Sequence, residues 1–200
     1  MFPNSTVLFK ICCWYLVNRE SEFIIKRFDM VKLEEEGGYY HESYRSDEYI
    51  EVGDRCDAIP KDSVYSYSKP GQRPSNVRPV LTLIYYLLDG DQFSAFHKVK
   101  HDEIWHFYKG SPVNLYILTN SEKLLSIKLG SDIQNNEQVQ FVIKGNTWFG
   151  ADINDKSSYS LIGCSVSPGF DFRDFELGER DRLKITFPQH EHIINRLTRK

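Results

Sequence analysis

The chain carries no long block of like charge: its formal net charge is −3, from 25 basic and 28 acidic residues spread over 200 positions. Nothing in it therefore resembles a polyanion-binding stripe or a basic membrane-facing helix, which leaves small molecules and protein partners. Four cysteines, Cys12, Cys13, Cys56 and Cys164, have neither zinc-type nor redox-type spacing, and adjacent Cys12 and Cys13 cannot readily bridge each other. Reduced thiols in a cytoplasmic protein are the expectation. Also missing is an apolar run of the roughly 20 residues that a bilayer span needs. The stretch Val7 to Val17 is apolar apart from Lys10, but no basic segment precedes it and no small-residue cleavage site follows. Residues 1–19 are read as an extension to one domain over 20–200, with a secreted form as the alternative. Strands and helices do not alternate, which disfavours a doubly wound parallel sheet.

What is abundant is aromatic: 12 Tyr, 13 Phe and 3 Trp. Flat, stiff side chains suit a pleated, half-buried surface, so the composition favours strands. Alternating or apolar runs predict strands at Tyr39 to Arg45, Val80 to Leu88, Phe93 to Val99, Glu103 to Tyr108, Val113 to Thr119, Leu124 to Lys128, Gln138 to Ile143, Trp148 to Ile153 and Tyr159 to Ser165. Their recurrence at about 8–12 residues, with Gly110, Pro112, Gly130 and Gly145 at joints, predicts a mainly β sandwich or barrel. Asp89-Gly90-Asp91 reads as a hairpin-type turn. A short helix is expected from Ser21 to Met30 with Ser21 as its N-cap, and two more in the tail, at Glu179 to Lys184 and, after Pro188, at His190 to Arg199. His190 and His192, two apart, fall on different helix faces and make no chelating pair.

Residues 47–79 hold Pro60, Pro70, Pro74 and Pro79 without sustained periodicity. So long an excursion predicts a partial lid, a disordered segment or a dimer-facing arm. Glu34, Glu35 and Glu36 before Gly37-Gly38 read as a solvated turn or as part of a pocket mouth. The bend at Phe170, Phe172 and Phe175 reads as a plug over one end of the core or as ligand contact.

Titratable chemistry concentrates between His97 and Gly110, read as one β-hairpin carrying His97, His101, Asp102, Glu103, Trp105 and His106. In a regular strand Glu103, Trp105 and Phe107 share one face, while Ile104, His106 and Tyr108 share the other.

The spacing His97-x5-Glu103-x6-Gly110 followed by Ile143-x-Gly145-x2-Trp148 resembles the paired hairpins of the cupin superfamily. More narrowly, Glu36-Gly37-Gly38-Tyr39-Tyr40, Asp102-Glu103-Ile104-Trp105-His106 and Ser167-Pro168-Gly169-Phe170-Asp171-Phe172 resemble the cupin_5 family, a domain of unknown function, over about Glu20 to Thr198. The resemblance implies a double-stranded β-helix, the cupin jelly-roll barrel, with a short N-terminal helix and C-terminal helices, paired as a homodimer. It also implies that His97 and Glu103 point inward and His106 outward or into the dimer. Metal-binding cupins supply three histidines and a glutamate. Here Val99 stands in the second histidine's place and Trp148 in the last one's, with His101 as a distant rescue. Two ligands are too few for a closed site, so neither metal nor cofactor is expected.

The resemblance then suggests proton transfer, with His97 and Glu103 acting beside a tyrosine acid, Tyr39 by preference, with Tyr40 and Tyr85 as alternatives. Trp105 and Trp148 are expected to wall the pocket, with Tyr85, Gln140, Phe170 and Phe172 as further ligand contacts. Three functions compete: a metal-independent sugar or nucleotide-sugar epimerase, a non-catalytic module for a small polar carbohydrate or nucleotide, and metal-dependent chemistry.

Overall fold

A computed structural model describes residues 20–53, 65–66, 76–119, 121 and 123–200. The expectations for residues 1–19, for Cys12, Cys13 and Cys56, and for most of the 47–79 excursion lie outside the described residues. The described chain is mainly β. It runs through β1 (Val31–Lys32), β2 (Tyr39–Arg45), β3 (Glu48–Glu51), β4 (Tyr65–Ser66), β5 (Val77–Pro79), β6 (Thr82–Asp89) and β7 (Phe93–Val99). There follow β8 (Asp102–Gly110), β9 (Val113–Leu118), β10 (Leu124–Leu129), β11 (Gln140–Ile143), β12 (Trp148–Ile153), β13 (Tyr159–Ser167) and β14 (Phe175–Leu177). Residues 20–27 form a first helix, α1. The tail adds α2 (Arg180–Thr186) and α3 (Glu191–Arg196).

A six-stranded sheet in the order β1-β2-β6-β13-β8-β11 faces a five-stranded sheet in the order β10-β9-β12-β7-β14, and β4-β3-β5 form a small third sheet. The alternation reading located the strands well but mispaired two of them. β7 and β8 do not form a hairpin. β7 pairs with β12 and β14, and β8 pairs with β11 and β13, so the chain crosses between sheets at Lys100 and His101. Asp89-Gly90-Asp91 likewise carries the chain from one sheet to the other, with Gly90 at φ 58°. Local alternation identifies a strand, but it is blind to the partner when consecutive strands belong to facing sheets.

Both sheets are covered over part of their outer faces, which is why several antiparallel strands read as nearly continuous apolar runs. Ile24 and Met30 pack with Leu87, Tyr159 and Leu161 over the six-stranded sheet. Phe96 and Leu118 on the five-stranded sheet pack against Leu183, Phe187, Ile193, Ile194 and Leu197 from the tail helices and the turn between them. Between the sheets lies the main core, including Trp105, Leu115, Phe149, Ile153 and Ile162, each at most 1% exposed. Ser21 sits inside α1 rather than capping it. It is fully buried, and its hydroxyl donates to Asp89 Oδ2 at 3.2 Å. Among the described residues no helix is long and apolar enough to cross a membrane.

Candidate functional site

A cavity of about 460 Å³ opens between the two sheets, with His97 and Glu103 in its lining. The sheet crossing sets their geometry: His97 comes from the five-stranded sheet and Glu103 from the six-stranded one, so they meet from opposite walls rather than side by side. Both are buried, at 3% and 7% exposure.

The His97 ring lies 4.1 Å from the Phe149 ring and 5.3 Å from that of Phe175, centroid to centroid, and its Nδ1 is 2.8 Å from the Ala95 carbonyl. A carbonyl oxygen only accepts, so the neutral ring keeps its proton on Nδ1 and leaves a lone pair on Nε2. Among the described residues Nε2 has no hydrogen-bond partner. Glu103 Oε1 accepts from Trp105 Nε1 at 2.9 Å, and Cys164 lines the same cavity. Burial pushes the Glu103 carboxyl up; the charge His97 can carry pulls it down, and Glu36 pushes it up again. Cys164 is a free, buried thiol that burial pushes well above its ordinary range.

Glu36 is a further ionisable group of the lining, placed by backbone geometry that only glycine supplies. Gly37 and Gly38 follow it at φ 104° and 74°, and a β-carbon on Gly38 would stand 2.8 Å from both the Leu87 carbonyl and the Tyr86 ring. The close approach lets the Tyr86 hydroxyl donate to the Gly37 carbonyl at 2.8 Å. Ser94 Oγ donates to the Glu36 carboxylate at 3.1 Å, and the Ala95 N–H donates to the Glu36 carbonyl at 2.7 Å. Arg199 latches the turn from the C-terminus, donating to the carbonyls of Glu35 at 2.8 Å and Glu36 at 3.0 Å. The same strand segment, Ser94 to His97, thus holds both the acid and the imidazole. The Gly-Gly pair signalled a break in the sequence, whereas the contact with Arg199 had no local signal.

Of the expected contacts, Trp105, Phe170 and Phe172 line the cavity with His97 and Glu103. Four residues do not. Tyr39 and Tyr85 point to the outer face, packing under α1, with Tyr85 stacked on Phe28 at 4.6 Å. Their neighbours Tyr40 and Tyr86 take the inward positions instead. Trp148 also faces out, with Lys98 Nζ 4.6 Å above its ring, and Phe149 is the inward residue of β12. Gln140 is exposed on β11, opposite His106, whose Nε2 pairs outside the cavity with Ser165 Oγ at 2.8 Å. In all of these a one-residue change of position reverses the face.

Phe170, Phe172 and Phe175 join the lining, and Phe175 begins a strand paired with β7 rather than only a bend. Towards the mouth, Arg45 forks onto Glu42 at 2.8 and 2.5 Å and donates to the Phe170 carbonyl at 3.1 Å, while Lys32 pairs with Glu34 at 3.0 Å. A metal ion would need at least three donors brought together. Val99 and Phe149 offer no donor, His101 lies outside the lining, 3.6 Å from Asp174, and no cluster of three or more candidate ligands exists among the described residues.

Known proteins share this architecture. The chain is 30% identical over 177 residues to the uncharacterized protein YML079W of Saccharomyces cerevisiae, covering 83% of this chain and 80% of that one. The crystal structure of protein SO0799 from Shewanella oneidensis matches with a TM-score of 0.71 at 31% identity, covering 89% of this chain and 96% of that one. A hypothetical protein from Leishmania major matches with a TM-score of 0.71 at 29% identity, covering 90% and 98%. The family model for Cupin_5, the cupin superfamily group DUF985, spans residues 22–178, and with these relatives it establishes that the chain belongs to that family.

Proposed function

We propose that the cavity binds a small polar molecule with an apolar body and moves a proton on it, with His97 as base and Glu103 as partner acid. The observation that carries this reading is the contact of His97 Nδ1 with the Ala95 carbonyl, which leaves Nε2 without a partner among the described residues on a ring that lines the same cavity as a buried carboxyl. Nε2 would remove a proton from carbon beside a carbonyl, and the electron pair would move onto the carbonyl oxygen. Glu103, biased by burial towards its protonated form, would hydrogen-bond that oxygen and supply a proton to it. Return of the carbon proton would complete an epimerisation or isomerisation. Tyr40 is the tyrosine on hand as a second acid, because Tyr86 already donates to Gly37. A nucleotide-linked sugar suits the site less than an unphosphorylated one, since Lys32 and Arg45 are already paired with carboxylates.

Incubation with aldoses, ketoses and amino sugars in deuterated water tests the proposal by NMR. Deuterium should enter beside the carbonyl, and His97→Ala should slow that exchange by about 10²–10⁴-fold. The apolar walls formed by Ile84, Val99 and Val166 favour a second reading, a non-catalytic binding module. Ligands that raise the melting temperature without any exchange would select it. Homodimer formation and cytoplasmic residence belong to the same proposal; gel filtration at the monomer's size would remove the first.

A further inference from the structure

Taking the cavity as a ligand site, as above, we infer that its ligand is an organic cation, an ammonium compound whose charge is met by Glu36, with the neutral Glu103 carboxyl as a hydrogen-bond acceptor, and whose carbon body lies against aromatic walls. The lining holds five carboxyl groups, of which Glu34, Glu35, Glu36 and Glu42 count as carboxylates and Glu103 as neutral, against two permanent cations and one imidazole. Both cations have carboxylate partners: Lys32 is held by Glu34 and Arg45 by both oxygens of Glu42. The remaining recorded bond of Arg45 goes to the Phe170 carbonyl. Among the described residues no lining cation is left to receive a phosphate or carboxylate, and with Glu103 neutral the formal excess stays negative whether or not His97 is protonated.

The position of that excess matters more than its size. Glu34 and Glu35 are exposed, but Glu36 is half-buried and held by Ser94, while Glu103 is 7% exposed and held by Trp105. A carboxylate partly withdrawn from water favours a counter-charge, and among the described residues no lysine or arginine pairs with the Glu36 side chain. His97 is 3% exposed and lines the cavity, and among the described residues its Nε2 has no hydrogen-bond partner, which independently marks the interior as a place completed by a ligand atom.

Six rings join the lining: Tyr40, Tyr86, Trp105, Phe170, Phe172 and Phe175. Aromatic faces carry negative potential, so they attract ammonium groups and repel anions. A metal ion would answer the same charge, but no ligand cluster for one exists among the described residues, and it would leave the apolar walls unused. An amine on a carbon frame satisfies both.

Benzylamine, benzyl alcohol and benzoate present one ring with a positive, neutral or negative substituent at neutral pH. Titration calorimetry and thermal shift on the full chain should show benzylamine binding about tenfold more tightly than benzyl alcohol, a difference readily supplied by one charged contact, with benzoate weakest. Glu36→Gln should bring benzylamine to within about threefold of benzyl alcohol while leaving the alcohol's affinity unchanged. Glu103→Gln provides the second variant, with circular dichroism as the check on folding. Benzoate binding as tightly as benzylamine would overturn the charge inference and leave the ligand site standing. No binding by any of the three would overturn both.

Discussion

Replacing Glu103 by Gln should make the folded protein more stable as pH rises, contrary to the usual outcome of deleting a charge. The side chain is 7% exposed, and burial is the leading influence on its carboxyl, which it pushes up. Between the unfolded chain's ordinary carboxyl range and the higher folded value, the native state holds a proton that the unfolded state has released. Unfolding free energy changes with pH as 2.303RT times the protons bound unfolded minus those bound folded, so across that window stability falls as pH rises. The full contribution is present below the unfolded pKa and is lost by the folded pKa, with a slope of at most about 1.4 kcal/mol per pH unit for this one group.

Glutamine keeps the acceptor for Trp105 Nε1 at nearly the same place but carries no titrating proton. The difference between variant and parent should therefore be small at acid pH and grow in the variant's favour through the window, by about 1.4 kcal/mol for each unit by which burial raises the carboxyl. Urea unfolding of both proteins from about pH 4 to about pH 9 measures it, and the difference cancels the groups they share. A flat difference would show that Glu103 titrates alike folded and unfolded. A difference growing against the variant would show that His97 overcomes the cost of burial and makes the charged carboxylate the preferred native form. Either result would refute the protonated acid assigned to the proton-transfer reading.

Trp105→Phe keeps a ring in the core but removes the donor to Glu103, and should cost about 1–3 kcal/mol, the usual penalty for leaving a buried polar group unsatisfied. In a Glu103→Gln background, urea unfolding should show a smaller loss. Arg78→Met strands Asp174, which Arg78 grips at 2.5 and 2.7 Å with side chains 5% and 3% exposed. The expected loss is about 3–5 kcal/mol, much of which the double variant with Asp174→Leu should recover in thermal or urea unfolding. Gly38→Ala must place a β-carbon at φ 74° against the Tyr86 ring, and should cost more than about 1 kcal/mol in urea unfolding. It should also weaken any ligand that depends on Glu36, as calorimetry would register.

Strand positions were legible because turn residues punctuate alternating runs: the expected spans at Tyr39 to Arg45, Phe93 to Val99 and Trp148 to Ile153 are β2, β7 and β12 without adjustment. Strand partners were not, since the register of β7 is set by β12 and β14, far along the chain. Facing was the harder matter. Where one side of a sheet meets water, polarity separates the inner residue from the outer. Here α1 and the tail helices cover part of each sheet, so Tyr39 and Tyr40, Tyr85 and Tyr86, or Trp148 and Phe149 are pairs that hydrophobicity cannot order.

One local feature does break that symmetry for the tyrosines. Gly38 has to be glycine, both for its φ of 74° and because the Tyr86 ring occupies the place of its β-carbon. Tyr86 also donates to the carbonyl of Gly37, next to Glu36, so its side chain lies on the glutamate's side of the sheet. Tyr40 stands directly across the ladder from Tyr86 and shares that face, which turns Tyr39 and Tyr85 outward. The glycine pair after the acidic run therefore does more than interrupt a strand pattern: it brings Glu36 to the cavity and, through the ring packed on it, fixes which tyrosines accompany it there.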